Sequence, residues 1–276
     1  MADFVDRYRQ RVRNRLSQTE SEPIGRMAEV LCFPSFHAET LLRVTEKSDK
    51  TTFRLLTFSS RLWYSEEGKE PRRFQETVAV SADQANRFWE SMSSLNPRAL
   101  CPRKAFGLDG MSISATYRQG ESESHFETWR PAPESPEGEY VGLIYRLAWE
   151  VVQTETSIER LEHLHQYLQL GLPARVIEGD VKCLRLFGSL TSLNESALRT
   201  TFESLDRDDP LLVDMTNLEG MGTLLYSAFL EFSPRHALLA WAVSKNARQH
   251  IELMGIDNPI LFDSVADAAE WLRQHQ

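Results

Sequence analysis

Segments of strand-like composition recur through the first half of the chain, and two of them show the alternation of apolar and polar positions expected of a strand with one buried face. Ala28 to Phe33, Thr40 to Glu46, Thr51 to Phe58 and Phe74 to Val80 read as strands, and the short polar stretch Lys47-Ser48-Asp49-Lys50 predicts a hairpin. A turn at Leu108-Asp109-Gly110 precedes alternating Met111, Ile113, Ala115 and Tyr117, and a second alternating run through Phe126 and Thr128 to Trp129 completes another hairpin. Helical segments are Asp3 to Leu16, Ser81 to Leu95 with Ser81 as its cap, and Glu139 to Gln153 with Tyr140, Leu143, Ile144, Leu147 and Val151 at helical spacing. Asn96-Pro97 stops the second of these, Ser17 to Pro23 is a polar break, and Ser65 to Arg73 is a charged loop. Hairpins with few helices predict an α+β domain over residues 1–153, an antiparallel sheet with helices. A helix from Ser157 to Leu170, capped by Ser157 and closed by Gly171 and Pro173, makes residues 154–173 a helical connector.

From Ala174 strands and helices take turns. Val181 to Leu186, Leu211 to Met215, Ala237 to Val243 and Ile260 to Phe262 read as strands, separated by helices that begin at Asn194, Thr223 and Asn246; Ser264 caps a last helix to Gln274. That order predicts a mainly parallel sheet, an α/β domain over 174–276.

Composition narrows the function. Of 276 residues 41% are hydrophobic and 26% charged, enough apolar matter for packed cores. A net charge of −9 argues against nucleic acid and anionic membrane, which both need a positive field. No apolar run reaches the ~20 residues that span a bilayer, and Met1 to Gln10 is polar, so a cytoplasmic protein is expected. Cys32, Cys101 and Cys183 are far apart and never paired as CxxC, which predicts reduced, structural thiols.

Motifs that carry chemistry are scarce. The chain has no GxSxG, GxxxxGK[ST] or GxGxxG run, so no catalytic residue and no cofactor are assigned. His163 and His165 fall on different sides of a helix, and His37, His125, His236 and His250 have no ligand-spaced neighbour, so no metal site is expected. Arg7, Arg9, Arg11, Arg13 and Arg15 spread around their helix, because alternate positions differ by about 200°; they serve either a small contact with nucleic acid or an acidic partner, or the acidic body of the protein itself. Trp63 and Tyr64, beside Arg61, suit either an interface or the core.

Several pieces in order resemble the STAS family, the anti-sigma-factor-antagonist type of domain. Val181-Lys182-Cys183-Leu184-Arg185-Leu186-Phe187-Gly188-Ser189-Leu190 is similar to its strand that ends in glycine and a short apolar turn. Leu211-Leu212-Val213-Asp214-Met215-Thr216 resembles its central strand with a closing aspartate. Glu252-Leu253-Met254-Gly255-Ile256 followed by Ile260-Leu261-Phe262-Asp263-Ser264 resembles its helix, glycine turn and last strand. The resemblance covers residues 174–276 only.

It implies a bacterial-type regulatory or scaffold protein that binds protein partners, a kinase or another regulator among them. In the family a serine or threonine after the central strand is phosphorylated; the matching stretch is Glu219-Gly220-Met221-Gly222-Thr223-Leu224-Leu225. Thr223 falls on the phosphoacceptor, Gly222 replaces the aspartate before it, and Leu225 replaces the glycine that follows. Thr223 could instead simply cap a helix, with Gly220 and Gly222 letting the loop turn. The expected contact surface is Gly220, Gly222, Thr223, Leu190 and Asn194. Two other readings stand beside it: an enzyme using Asp109, His125, Glu127 and Arg130, and a homodimer in which one domain serves assembly.

Overall fold

A computed structural model describes residues 2–16, 25–48, 50–66, 68–100 and 109–275, with side chains from Phe4 onward. The polar break Ser17 to Pro23, Asp49 of the first hairpin, Cys101 and Leu108 lie outside the described residues. The chain divides into two compact units, Met1–Gln169 and Leu170–Gln276.

The first unit is built on a six-stranded sheet, whose order is β4-β3-β2-β1-β5-β6. Its strands are β1 Arg26–Pro34, β2 Thr40–Lys47, β3 Lys50–Phe58, β4 Arg73–Ala79, β5 Met111–Gln119 and β6 Ser122–Trp129. Every neighbouring pair is antiparallel, and both hairpins form. Gly120 turns the second hairpin at φ +60°, a conformation that costs other residues a Cβ clash.

Helices α2 Ala82–Ser94 and α3 Pro136–Val151 pack on one face of this sheet. Ser81 caps α2 in a reciprocal box with Gln84. Helix α3 begins inside the proline-rich stretch, where Ser135 is the cap and Pro136 the first residue, a position at which the missing N–H costs nothing. Helix α4 is Glu155–Leu168, and its cap is Thr154 rather than Ser157. Glu76 on β4 explains that start, because its carboxylate accepts from Gln153 N at 2.8 Å and from the Thr154 hydroxyl at 2.6 Å.

The opposite face takes helix α1, Ala2–Leu16, whose Val12 and Leu16 are buried against Leu31, Phe33, Leu41, Leu56 and Phe58. Each such side chain contributes about 1.5–3 kcal/mol by leaving water. The arginines complete the seam: Arg13 lies 2.7 Å and Arg9 3.2 Å from the Glu127 carboxylate, while Arg15 and Arg11 lie 2.9 Å and 3.3 Å from Glu70. Hydrogen bonds from Arg15 hold Glu70 below the usual carboxylate range. Tyr8 donates to buried Glu39, whose other oxygen accepts from Leu62 N at 2.9 Å. Burial first, and then the Glu39 charge, push the Tyr8 phenol far upward, so it stays a donor.

The second unit has a five-stranded sheet of order β13-β12-β10-β8-β7. Strands β8 Lys182–Leu186, β10 Leu211–Met215, β12 Leu239–Val243 and β13 Ile260–Phe262 run parallel, as the alternation predicts. Strand β7, Ala174–Ile177, adds an antiparallel edge that the hydrophobic pattern does not announce. Helices α5 Glu195–Ser204, α6 Tyr226–Phe232 and α7 Lys245–Met254 cover one face, and α8 Val265–Gln274 the other. A second, two-stranded sheet pairs β9, Gly188–Leu190, with β11, Leu218–Met221, in parallel. Among the described residues no helix is long and apolar enough to cross a membrane.

Candidate partner-binding surface

The central strand β10 shows how the surface is held. Val213 and Met215 enter the core beneath α5, α6 and α7, and Asp214 therefore points to the other face, by the alternation of strands. Buried there, its Oδ1 accepts from Thr216 N at 2.9 Å and from the Thr216 hydroxyl at 2.6 Å. Its Oδ2 lies 3.3 Å from an Arg185 nitrogen, close enough for an ion pair but without the alignment of a hydrogen bond. The carboxylate thus closes a turn by bonding the backbone two residues on.

That turn sends the chain into β11. Gly188 N donates to Asn217 O at 2.9 Å, and Gly222 N donates to Leu190 O at 2.9 Å, so two loops are stitched side by side. One loop continues into the turn Ser192–Asn194 and the other into the turn Thr223–Leu225. Leu193 and Leu224 project from these adjoining turns with 92% and 69% of their surface exposed, while Leu190 and Leu225 beneath them are buried.

The expected contact residues fall on this framework. Leu190 ends β9, Gly220 lies on β11, Gly222 precedes the second turn, and Thr223 opens it, exposed. Three expectations need correction. Thr223 does not cap a helix: the segment begins as a 3-10 turn with Gly222 at the cap position, and α6 proper starts at Tyr226. Asn194 does not cap α5 with its side chain; it belongs to the preceding turn, where its amide oxygen accepts from Thr191 N at 2.8 Å.

The third concerns the glycines. Gly222 has φ −68°, and a Cβ there would meet Leu190 O at 3.8 Å, an ordinary contact. Gly220 lacks positive φ too, and its Cβ would meet only Ser189 Oγ, at 4.0 Å. The conformational demand sits instead at Gly188, with φ +60°. Leu193 and Leu224 were missed by sequence reasoning, whereas Gly188 reads as the glycine that ends its strand. A leucine's exposure leaves no trace in its neighbours, whereas a glycine after a strand marks a kinked end.

Of the residues of the enzyme reading, Glu127 and His125 have partners on the first sheet and α1. Glu127 holds Arg9 and Arg13, and His125 shares its strand face with Nε2 at 3.9 Å from the Glu127 carboxylate and Nδ1 at 3.4 Å from the Thr116 hydroxyl. His163 and His165 go separate ways, His163 stacking on His37 at 4.1 Å and His165 meeting the Tyr145 hydroxyl at 3.1 Å. Trp63 packs edge-on to Tyr8 and Phe4, whereas Tyr64 is exposed beneath the Arg61 guanidinium. Burial pushes the thiols of Cys32 and Cys183 up to about 12, so both are inert.

No family model matches the chain, and no curated protein matches it. Two solved structures are similar to part of it. An anti-sigma factor antagonist from Mycobacterium paratuberculosis is 18% identical, with a TM-score of 0.34, over 36% of this chain and 92% of its own. An uncharacterised protein with a SpoIIAA-like fold from Shewanella loihica is 14% identical, with a TM-score of 0.28, over 37% of this chain and 94% of its own.

Proposed function

We propose that the chain is a regulatory or scaffold protein of a bacterial cytoplasm whose STAS-like domain, residues 174–276, binds a partner protein. The domain follows an α+β domain, 1–153, and a helical connector, 154–173. The contact is the pair of turns carrying Leu193, Leu224 and Thr223, framed by Leu190, Asn194, Gly220 and Gly222. The observation that supports it is the exposure of two leucines on adjoining turns that buried bonds hold in place. A soluble surface seldom keeps apolar side chains together unless something covers them, and a pre-organised patch loses little entropy on binding.

Thr223 lies beside these leucines, exposed, and its hydroxyl has no hydrogen bond among the described residues. A phosphate there adds a charge of about −1.5 to −2, which disfavours an apolar partner at Leu224. The test is affinity purification from the native host with the wild type, Leu193→Asp/Leu224→Asp and Thr223→Asp. The double variant is expected to lose a specific partner at least about tenfold, since two buried leucine contacts exceed 1.4 kcal/mol. Leu253→Asp, an exposed leucine on α7, is expected to retain it. Equal recovery with the double variant would sink the surface, and equal recovery with Thr223→Asp would sink the switch alone.

A further inference from the structure

Two turns of the second unit repeat one another in backbone and in side chain. Strands β9 and β11 pair in parallel, with Leu190 beside Met221. Continued one residue at a time, that register sets Thr191 beside Gly222, Ser192 beside Thr223 and Leu193 beside Leu224. Gly222 shows how close the turns lie: its N–H donates to Leu190 O at 2.9 Å, and an added Cβ would stand 3.9 Å from Ser192 N and 4.0 Å from Thr191 Cα.

The backbones match bond for bond. Thr191 and Gly222 are both extended, and the carbonyl of each accepts from the N–H three residues on, Asn194 N at 2.9 Å and Leu225 N at 3.0 Å. Ser192 and Thr223 then open 3-10 turns, and their carbonyls accept from Glu195 N and Tyr226 N, which begin α5 and α6. The side chains match as well: Ser192 and Thr223 are exposed, each is followed by an exposed leucine, and neither hydroxyl has a hydrogen bond among the described residues. Thr191 differs, because its hydroxyl is tied to the Asn194 side chain at 3.3 Å.

We propose that Ser192 is a second phosphate-accepting residue of the partner surface. The inference rests on the reading of Thr223 as a phosphoacceptor and extends it to the adjoining turn, which offers a kinase the same hydroxyl in the same backbone setting. In the transfer the Ser192 oxygen attacks the γ-phosphorus of a nucleoside triphosphate held by the kinase. The new O–P bond forms as the bond to the β-phosphate oxygen breaks, the nucleoside diphosphate leaves with that electron pair, and the hydroxyl proton passes to a base of the kinase. Glu195, three residues on, is paired with Arg199 at 3.0 Å, which offsets its charge. A phosphate on Ser192 puts a charge of about −1.5 to −2 next to Leu193, half of the apolar contact.

The full chain, incubated with ATP and an extract of its native host and then mapped by mass spectrometry, tests the site. The wild type is expected to carry phosphate on Ser192 as well as on Thr223, and Thr223→Ala is expected to keep the phosphate on Ser192. Phosphate on Thr223 with none on Ser192 overturns the proposal and leaves the reading of Thr223 standing. Phosphate on Ser192 alone keeps the proposal and sinks the switch at Thr223, and phosphate on neither overturns both.

Chains made with Ser192→phosphoserine test the consequence. Recovery of the partner that the wild type binds is expected to fall at least about tenfold, because that partner would have to desolvate an unpaired phosphate. Ser204→phosphoserine, at the far end of α5, is expected to leave recovery unchanged. Equal recovery with the two modified chains overturns the regulatory role of Ser192, whereas the partner surface itself stands or falls with Leu193→Asp/Leu224→Asp.

Discussion

Two carboxylates set against arginines behave differently in the two units. Glu127 on β6 keeps 42% of its side-chain surface exposed while Arg9 and Arg13 close on it from α1. Asp214 on β10 is wholly buried, with Arg185 beside it and Thr216 bonded to it. The first arrangement sits in water-like dielectric and fastens a helix that Val12 and Leu16 already hold. The second lacks water to take over either charge, so the pair and its hydrogen bonds must stay intact for the turn to exist. Exposure, more than the presence of opposite charges, decides which pair shapes the molecule.

Removing each carboxylate is the strongest way to break that comparison. Asp214→Ala removes the two buried hydrogen bonds that hold the turn at Thr216, and is expected to cost more than about 2 kcal/mol. Glu127→Gln is expected to cost under about 1 kcal/mol, with most of the difference gone at high salt. Urea denaturation at low and high ionic strength measures both, and equal losses would refute the role given to burial.

The next largest effect contrasts neighbours. Leu225 is buried and Leu224 is exposed on the same turn. Leu225→Ala is expected to lower stability by about 2–5 kcal/mol through the cavity it leaves. Leu224→Ala is expected to stay within about 0.5 kcal/mol, as surface substitutions do, while weakening partner recovery. Reversed stabilities would mean that Leu224 holds the fold rather than a partner.

The legibility of these features followed their length and their reach. Strands of seven to nine residues in the first sheet are long enough to announce themselves, β5 by the alternation of Met111, Ile113, Ala115 and Tyr117 and β1 by a run of strand-forming apolar residues. β7, β9 and β11 have three or four residues each, too few for any period to show. The start of α4 was displaced by Glu76, which is distant in sequence and captures the N–H groups ahead of Ser157. The arginines of α1 are visible as a pattern, but whether they face a partner or Glu127 and Glu70 depends on tertiary contacts. At the partner surface, Thr223 could be found by its place after the central strand, whereas Leu193 and Leu224 became distinct only when their neighbours were seen to be buried.

The smallest effect carries a sign that separates a glycine required by the backbone from one that is not. At Gly222 the backbone has φ −68° and ψ 135°, open to any L-residue, and the nearest atoms to an added Cβ are 3.8–4.0 Å away. Its N–H still donates to Leu190 O, a bond that alanine preserves. Gly222→Ala is therefore expected to stabilise the protein by about 0.4–1 kcal/mol, because the unfolded chain loses freedom that the native turn never used. Gly188→Ala, at φ +60°, is expected to destabilise it by about 1–2 kcal/mol through the clash of a Cβ in the left-handed region. Thermal melts of the two variants measured side by side decide the matter: a loss of stability at Gly222 would mean that the turn beneath Leu224 demands glycine after all.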